Sequence, residues 1–404
     1  MLFKIKAKKD TGEIIEGVRE APDRLTLSRD IRAENLTLFF AEGLSRPEAR
    51  KKWWSFLANR VGLKEKIVFA GNLSSMITAG LSLSRALEVL ERQTKQKYFK
   101  NIVYQILQKV NMGESFSNAL NAWPEIFPPV FSAMVAAGEE SGNLPQSLAI
   151  IKDQMNKTYE LRRKIVGAMI YPAIIVLAII VIAILMLIFM VPQLAATFRD
   201  LNVQLPLSTR LIIGISDWLA NHYLLFSALV IALIGLSMVW LRSVNGQRTI
   251  DRLAIRMPIF GDLIKQYNSA VIMRTLSSLI SAGVKMTDSI TITEKVVQNT
   301  LYKPFITRAA TEIQKGLVLS VLFETEPKLF PVLVPELTAV EEETGNLPNL
   351  LAQGAAFYEG EVDQVTKNLS TIIEPFLMIV IGIAVGFFVV SMIGPMYSLS
   401  SAIK

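Results

Sequence analysis

The amino-acid sequence predicts a mainly α-helical integral membrane protein. It has two homologous cytoplasmic antiparallel helical-bundle domains, three transmembrane helices and a small N-terminal α/β module. Three observations lead there. The 404 residues are 51% hydrophobic yet 19% charged, with a mean hydropathy of +0.39. That is too apolar for an ordinary soluble enzyme and too charged for a chain made only of membrane spans. Three stretches without formal charge are long enough to cross a bilayer. The chain also aligns with itself, without a gap, when shifted by 203 positions, as an internal duplication does.

In chain order, residues 1–45 form the small module. FKIKAKKDTGEIIEGVREA alternates around Asp10-Thr11-Gly12 as a strand–turn–strand hairpin does, DRLTLSRDIRAEN reads as a short helix, and LTLFFAE as a returning strand. We expect a docking element. The lysines of MLFKIKAKKD stand where a signal peptide needs an apolar core, so no cleaved leader is expected. Residues 46–66 mix basic side chains with Trp53 and Trp54, as membrane-surface helices do. They read best as a linker helix whose tryptophans pack on the next domain.

Residues 67–165 make the first cytoplasmic domain and 243–372 the second. LSSMITAG (73–80) falls on LSSLISAG (276–283), six of eight identical, and Phe127-Pro128 falls on Phe330-Pro331. Ile102, Ile106 and Val110 recur at helical spacing, matched by Phe305, Ala309 and Ile313. Gly80, Gly113 and their counterparts Gly283 and Gly316 end helices before polar turns. Each unit is therefore a bundle of about six helices, the last running on into a membrane span.

The spans are expected at 166–192, 222–242 and 373–395, with an external connection at 193–221 and an external tail at 396–404. From Ile165 to Phe198 no residue carries a formal charge, and Pro172 and Pro192 bracket the first span as Pro375 and Pro395 bracket the third. LIIGISDWLAN (211–221) is too short and carries Asp217, so it reads as a connecting or interfacial helix. Lys157, Arg162, Arg163 and Lys164 precede span one, while Arg242, Arg248, Arg252 and Arg256 follow span two; only Arg199 and Arg210 lie between. The positive-inside rule then puts the N-terminus and both bundles in the cytoplasm. Of the 42 Lys and Arg, all but Arg199, Arg210 and Lys404 fall on that side, so the net charge of +7 needs no nucleic-acid partner.

Chemistry-bearing motifs are few. Zero cysteines and the single His222 leave no thiolate or multi-histidine metal site, and neither a P-loop nor a G-x-S-x-G elbow occurs. No catalytic residue, cofactor or metal is expected, and His222 reads as a headgroup-level residue. Gly382-x-x-x-Gly386, like Ala228-x-x-x-Ala232, has the spacing of close helix packing.

The most informative repeat is AAGEESGNLP (136–145) against AVEEETGNLP (339–348). Gly142 and Gly345 suit the left-handed residue that closes a helix. Asn143 and Asn346 suit the next N-cap, and Pro145 and Pro348 its first turn. Glu139, Glu140, Glu342 and Glu343 occupy a last turn, where the helix dipole disfavours negative charge by about 0.3–1 kcal/mol. We expect them to meet a cation, a basic partner surface or another domain. On that reading, reversal to lysine impairs assembly without unfolding the chain.

The motif E-x-x-G-x-L, present as EESGNL and EETGNL, resembles that of the type II secretion system protein F family. So do L-x-x-[ML]-I-x-A-G, the Phe-Pro element and one span after each bundle. The resemblance covers nearly the whole chain. It implies a non-enzymatic inner-membrane platform of type IV pilus, type II secretion or competence machinery, and a homo-oligomer. Its partners would be a hexameric cytoplasmic assembly ATPase, pilin or pseudopilin subunits and other inner-membrane assembly proteins. One departure stands out: Gly138 is matched by Glu341, so the two copies differ in charge. The alternative is a membrane permease or channel subunit, disfavoured by spans without ionisable residues. A membrane-bound enzyme ranks below that, for want of any acid–base or nucleophile constellation.

Overall fold

The computed structural model describes residues 2–9, 14–20, 36–44, 61–200, 207–258, 260–344 and 346–402. The predicted helix at 23–35, the turn at 10–12 and most of the predicted linker lie outside them. Among the described residues there are three strands: β1 (Leu2–Lys9), β2 (Ile14–Glu20) and β3 (Leu36–Leu44). They form an antiparallel sheet of order β2-β1-β3, with a bulge where β1 meets β3 at Lys6/Ala7. The sheet belongs to one compact unit, Met1–Gly62 together with Gln96–Phe99. The helical unit begins with α1 at Leu63, four residues inside the predicted linker.

The first repeat comprises α1 (Leu63–Thr78), α2 (Leu83–Gln93), α3 (Lys97–Asn111), α4 (Phe116–Asn121), α5 (Pro129–Glu140) and α6 (Leu144–Leu185). After a π-helical turn at Met186–Met190 come α7 (Val191–Asp200), α8 (Leu207–Asn221), α9 (Tyr223–Arg242) and α10 (Val244–Arg256). The second repeat comprises α11 (Phe260–Ser281), α12 (Met286–Val296), α13 (Tyr302–Gln314), α14 (Leu319–Glu324), α15 (Leu333–Thr344) and α16 (Leu347–Ala402). Shifting α2 and α4 by 203 residues lands on α12 and α14 end to end. The local reasons repeat too. Gly80 and Gly283 take φ of 93° and 92°, a conformation that costs a side chain dearly. The N–H that follows each then bonds back to Met76 and Leu279 respectively, closing the helix.

Each bundle has one aromatic centre, and the Phe of the Phe-Pro element lies in it. Phe127 sits 5.6 Å from Phe69 and 5.0 Å from Phe131, centroid to centroid. Phe330 sits 4.8 Å from Phe305 and 4.7 Å from Phe323. All are buried. Rings of this size bury on the order of 150–250 Å² each, so they dominate the energy of small bundles.

Both repeats end in a helix that leaves the bundle without a break. α6 has 42 residues and α16 has 56, about 63 and 84 Å at ~1.5 Å per residue. They cross water and then ~30 Å of hydrocarbon as single rods. Among the described residues, three helices are long and apolar enough to span a membrane: α6 with its continuation, α9 and α16. α9 has no buried residue, as expected of a helix whose solvent is lipid. After it, Arg248, Arg252 and Arg256 line one exposed side of α10 at four-residue spacing.

The predicted connecting helix is α8, and it has a specific structural task. At the π-turn the Val191 N–H bonds to the Met186 carbonyl. Pro192 has no N–H, so Leu187 lacks a helical donor; the Ser216 hydroxyl of α8 supplies one. In α16 the equivalent Pro395 cannot donate to the Ser391 carbonyl, and the Thr209 hydroxyl of α8 does so instead. Thr209 and Ser216 are two helical turns apart, on one face. Between them Ile212 and Ile213 pack on Val191, Ala195 and Phe388. α8 thus joins the proline breaks of the first and third spans. We predict that Thr209→Val and Ser216→Ala each leave a buried carbonyl without a donor, costing about 1–3 kcal/mol. Unfolding of the purified protein in detergent should shift accordingly, more for the double variant. Unchanged midpoints would refute the task assigned to α8.

Candidate functional site

The repeated decapeptide forms the corner between α5 and α6. Gly142 has φ +70°. The Asn143 N–H bonds to the Gly138 carbonyl at 2.8 Å, and the Gly142 N–H to the Glu139 carbonyl at 3.2 Å. This is the six-to-one, five-to-two pattern of a Schellman closure. Pro145 lies in the first turn of α6, and Pro348 in that of α16. Asn143 holds the N-cap position, but its side chain makes no cap hydrogen bond and donates to Gln146 instead. The expected side-chain cap is therefore absent here. α6 starts under proline's fixed φ, and the Asn143 carbonyl accepts from Ser147.

A second motif completes the corner. Ser74, from LSSMITAG, donates its hydroxyl to the Pro145 carbonyl at 2.8 Å. Ser277, its counterpart in LSSLISAG, donates to the Pro348 carbonyl at 2.7 Å. The two most recognisable motifs of each repeat thus touch one another in both copies.

Glu139 resolves the electrostatic question raised by its sequence position. Its carboxylate reaches away from its own helix end and takes the Phe116 N–H at 2.6 Å and the Ser117 N–H at 2.9 Å. These are the first two free donors of α4. The third, of Asn118, goes to the Ser115 hydroxyl, and the Ala119 N–H makes the first bond to the Ser115 carbonyl. The start of α4 is fully accounted for. The charge sits where a helix dipole attracts it rather than where α5 would repel it. Glu139 therefore serves its own bundle, against the expectation of an interdomain or partner contact. Sequence reasoning missed Phe116 and Ser117, because nothing local links them to a glutamate 22 residues on.

Glu140 differs from its neighbour. It is exposed and lines a groove between the repeats, with Ala133 and Ala137 on one side and Lys285 and Asp288 on the other. The side chains of Glu342 and Glu343, and Gly345, lie outside the described residues, while Asn346 is exposed at the second corner. Gly138 is buried where α5 crosses α6: an added Cβ would come within 2.6 Å of the Ser147 hydroxyl. Gly382 and Gly386 are exposed, with no atom within 4 Å of an added Cβ among the described residues.

The repeats meet along α6 and α16. Gln154 donates to the Thr275 hydroxyl at 3.2 Å in buried surroundings. Lys164 reaches Asp363 at 2.7 Å, and Lys367 joins the same carboxylate at 2.8 Å. These lysines, Lys164 first, hold Asp363 below the usual carboxylate range. A depressed folded value means the tie is present above about pH 4 and lost as pH falls further. Between the repeats lies a cavity of about 320 Å³, walled by Pro129, Phe131, Val271 and Val297 and edged by Gln154, Arg162 and Tyr267. Burial raises the Tyr267 phenol, with Arg162 opposing.

The corner yields a prediction. Glu139→Gln and Glu139→Lys destabilise the first bundle, the second by about 2 kcal/mol or more. Faster amide exchange at Phe116 and Ser117 reports the loss. Glu140→Lys leaves folding and exchange unchanged. Equal effects at the two positions would contradict these assignments.

Comparison with known proteins agrees with this geometry. The family model for type II secretion system (T2SS), protein F, matches residues 69–192 and 272–395, two segments set apart by the same 203 residues. The type IV pilus assembly protein PilC of Thermus thermophilus is 34% identical over 398 residues, covering 98% of each chain. PilC of Myxococcus xanthus is 31% identical over 412 residues, 100% of this chain and 96% of that one. The type II secretion system protein F of Aeromonas hydrophila is 28% identical over 341 residues, 84% and 87% of the two chains. A twice-matched family model, near-complete coverage and two helical repeats that each run into a span lead to one conclusion: this chain is a member of the type II secretion system protein F family.

Proposed function

We propose that the chain is an inner-membrane platform of a type IV pilus or type II secretion assembly machine, with its N-terminus and both bundles in the cytoplasm. It couples a hexameric cytoplasmic assembly ATPase to pilin or pseudopilin subunits leaving the bilayer, and it does so without chemistry of its own. The observation that carries this reading is mechanical. Each bundle is fused to a span through one unbroken helix, 42 and 56 residues long. A rotation imposed on the cytoplasmic bundles therefore moves the spans with them, because bending a helix means breaking its hydrogen bonds. The basic side of α10 supports the same orientation.

Crosslinked pull-down from native membranes tests the reading. The expected result is recovery of an assembly ATPase and a pilin with the wild-type chain. Glycine–proline pairs inserted in α6 or α16 below the membrane should keep ATPase capture but abolish fibre assembly. A partner set without any ATPase would refute the proposal, as would full assembly by the interrupted stalks.

A further inference from the structure

The two repeats use unlike surfaces to meet. Beside the pairing of the counterpart helices α6 and α16, the first presents the α5–α6 corner, and the second presents α11 and the start of α12. Along α11, Val271, Thr275, Ser278 and Ala282 are buried and spaced as one helical face, with Thr275 bonded to Gln154 and Val271 beside Phe131 at the junction. Their counterparts 203 positions earlier, Val68, Asn72, Ser75 and Ala79, are all exposed, Val68 at 50%. The opposite side shows the same asymmetry. Gln154 is buried against Thr275, but its counterpart Phe357 is 48% exposed; Ala137 lines the junction, but its counterpart Val340 is 54% exposed. A contact between two different surfaces is thus made once inside the chain. Its reciprocal halves, the α1–α2 face of the first repeat and the α15–α16 face of the second, stand open among the described residues. Such head-to-tail contacts propagate until a ring closes.

Two further observations say what covers the open faces. The first is charge. In the junction, Ala133 of α5 faces Asp288 of α12 across the groove. In the reciprocal contact their counterparts are Glu336 and Arg85, both exposed and of opposite sign. The second is direction. α6 and α16 run in parallel: Leu161 shares a buried core with Tyr358 and Val362, Lys164 pairs with Asp363, and farther along Leu187 and Leu194 of the first span and Phe388 of the third pack on the same apolar cluster. The operation relating the repeats therefore turns about the stalks, and repeating it keeps every span in one bilayer.

We propose that a second copy of this chain docks its α1–α2 face on the α15–α16 face of the first, repeating between molecules the contact that joins the repeats within one. This names the surface for the self-association expected of the family. It rests on the repeat geometry and not on the ATPase-coupling reading, so the two fail separately.

The natural chain has no cysteine, so introduced thiols report alone. Asn72→Cys and Phe357→Cys, carried on two differently tagged full-length chains in membranes, should be joined by a short bis-maleimide. Neither variant expressed alone should crosslink to itself. Gln154→Cys with Thr275→Cys, the same pair within one chain, is the positive control and should give only an internal link. Arg85→Glu should cut the Asn72–Phe357 product about fivefold, the scale of a well-placed surface ion pair, and Glu336→Arg on the partner should restore it. Absence of the mixed product while the internal control forms would overturn the proposal and leave the faces to another occupant. Self-crosslinking of either single variant would overturn it in favour of a symmetric contact.

Discussion

A polypeptide can leave water for hydrocarbon only if its backbone hydrogen bonds are already satisfied, and an uninterrupted helix is the simplest way to arrange that. α6 and α16 are built to that constraint, and much else in the second unit follows from it. Because each helix begins in a bundle and ends in a span, its first turn has to be fixed against the rest of that bundle. The Ser74–Pro145 and Ser277–Pro348 bonds do this in the two copies. Because prolines interrupt the far ends of both spans, donors must come from elsewhere, and α8 brings two hydroxyls to the carbonyls of Leu187 and Ser391. The near ends are tied to each other through Gln154, Thr275, Lys164 and Asp363.

The corner shows how a conspicuous motif can divide its labour among neighbours. Within five residues, Gly138 lets two helices cross, Glu139 caps a third helix, Glu140 faces the junction and Gly142 reverses the chain. A charge at the C-terminal end of α5 looks unfavourable when that helix is considered alone. It becomes favourable once α4 is seen to start under the carboxylate.

Much of this was legible in the sequence because it is local or periodic. The 203-residue repeat, the glycines at helix ends, the prolines around the spans and the Phe-Pro helix starts each follow from rules acting within a few residues. What escaped depended on contacts far apart in the chain. Glu139 meets Phe116 and Ser117 across a hairpin, Asn143 yields its capping role to the proline two residues on, and α8 earns its place only through Pro192 and Pro395. The asymmetry between repeats was the least legible of all. Val68 and Val271 are the same residue in equivalent places, yet one is exposed and the other buried, because each copy's neighbour is different.

Gly138 has a consequence for the history of the duplication. A Cβ there would lie 2.6 Å from the Ser147 hydroxyl and 2.7 Å from its Cβ, whereas the second copy carries Glu341 and Leu350 at these two positions. Changing position 138 alone would force a side chain into a crossing that has no room for a methyl group beside Ser147. Positions 138 and 147 are therefore coupled, and the twin segments diverged here as a pair of residues rather than one at a time.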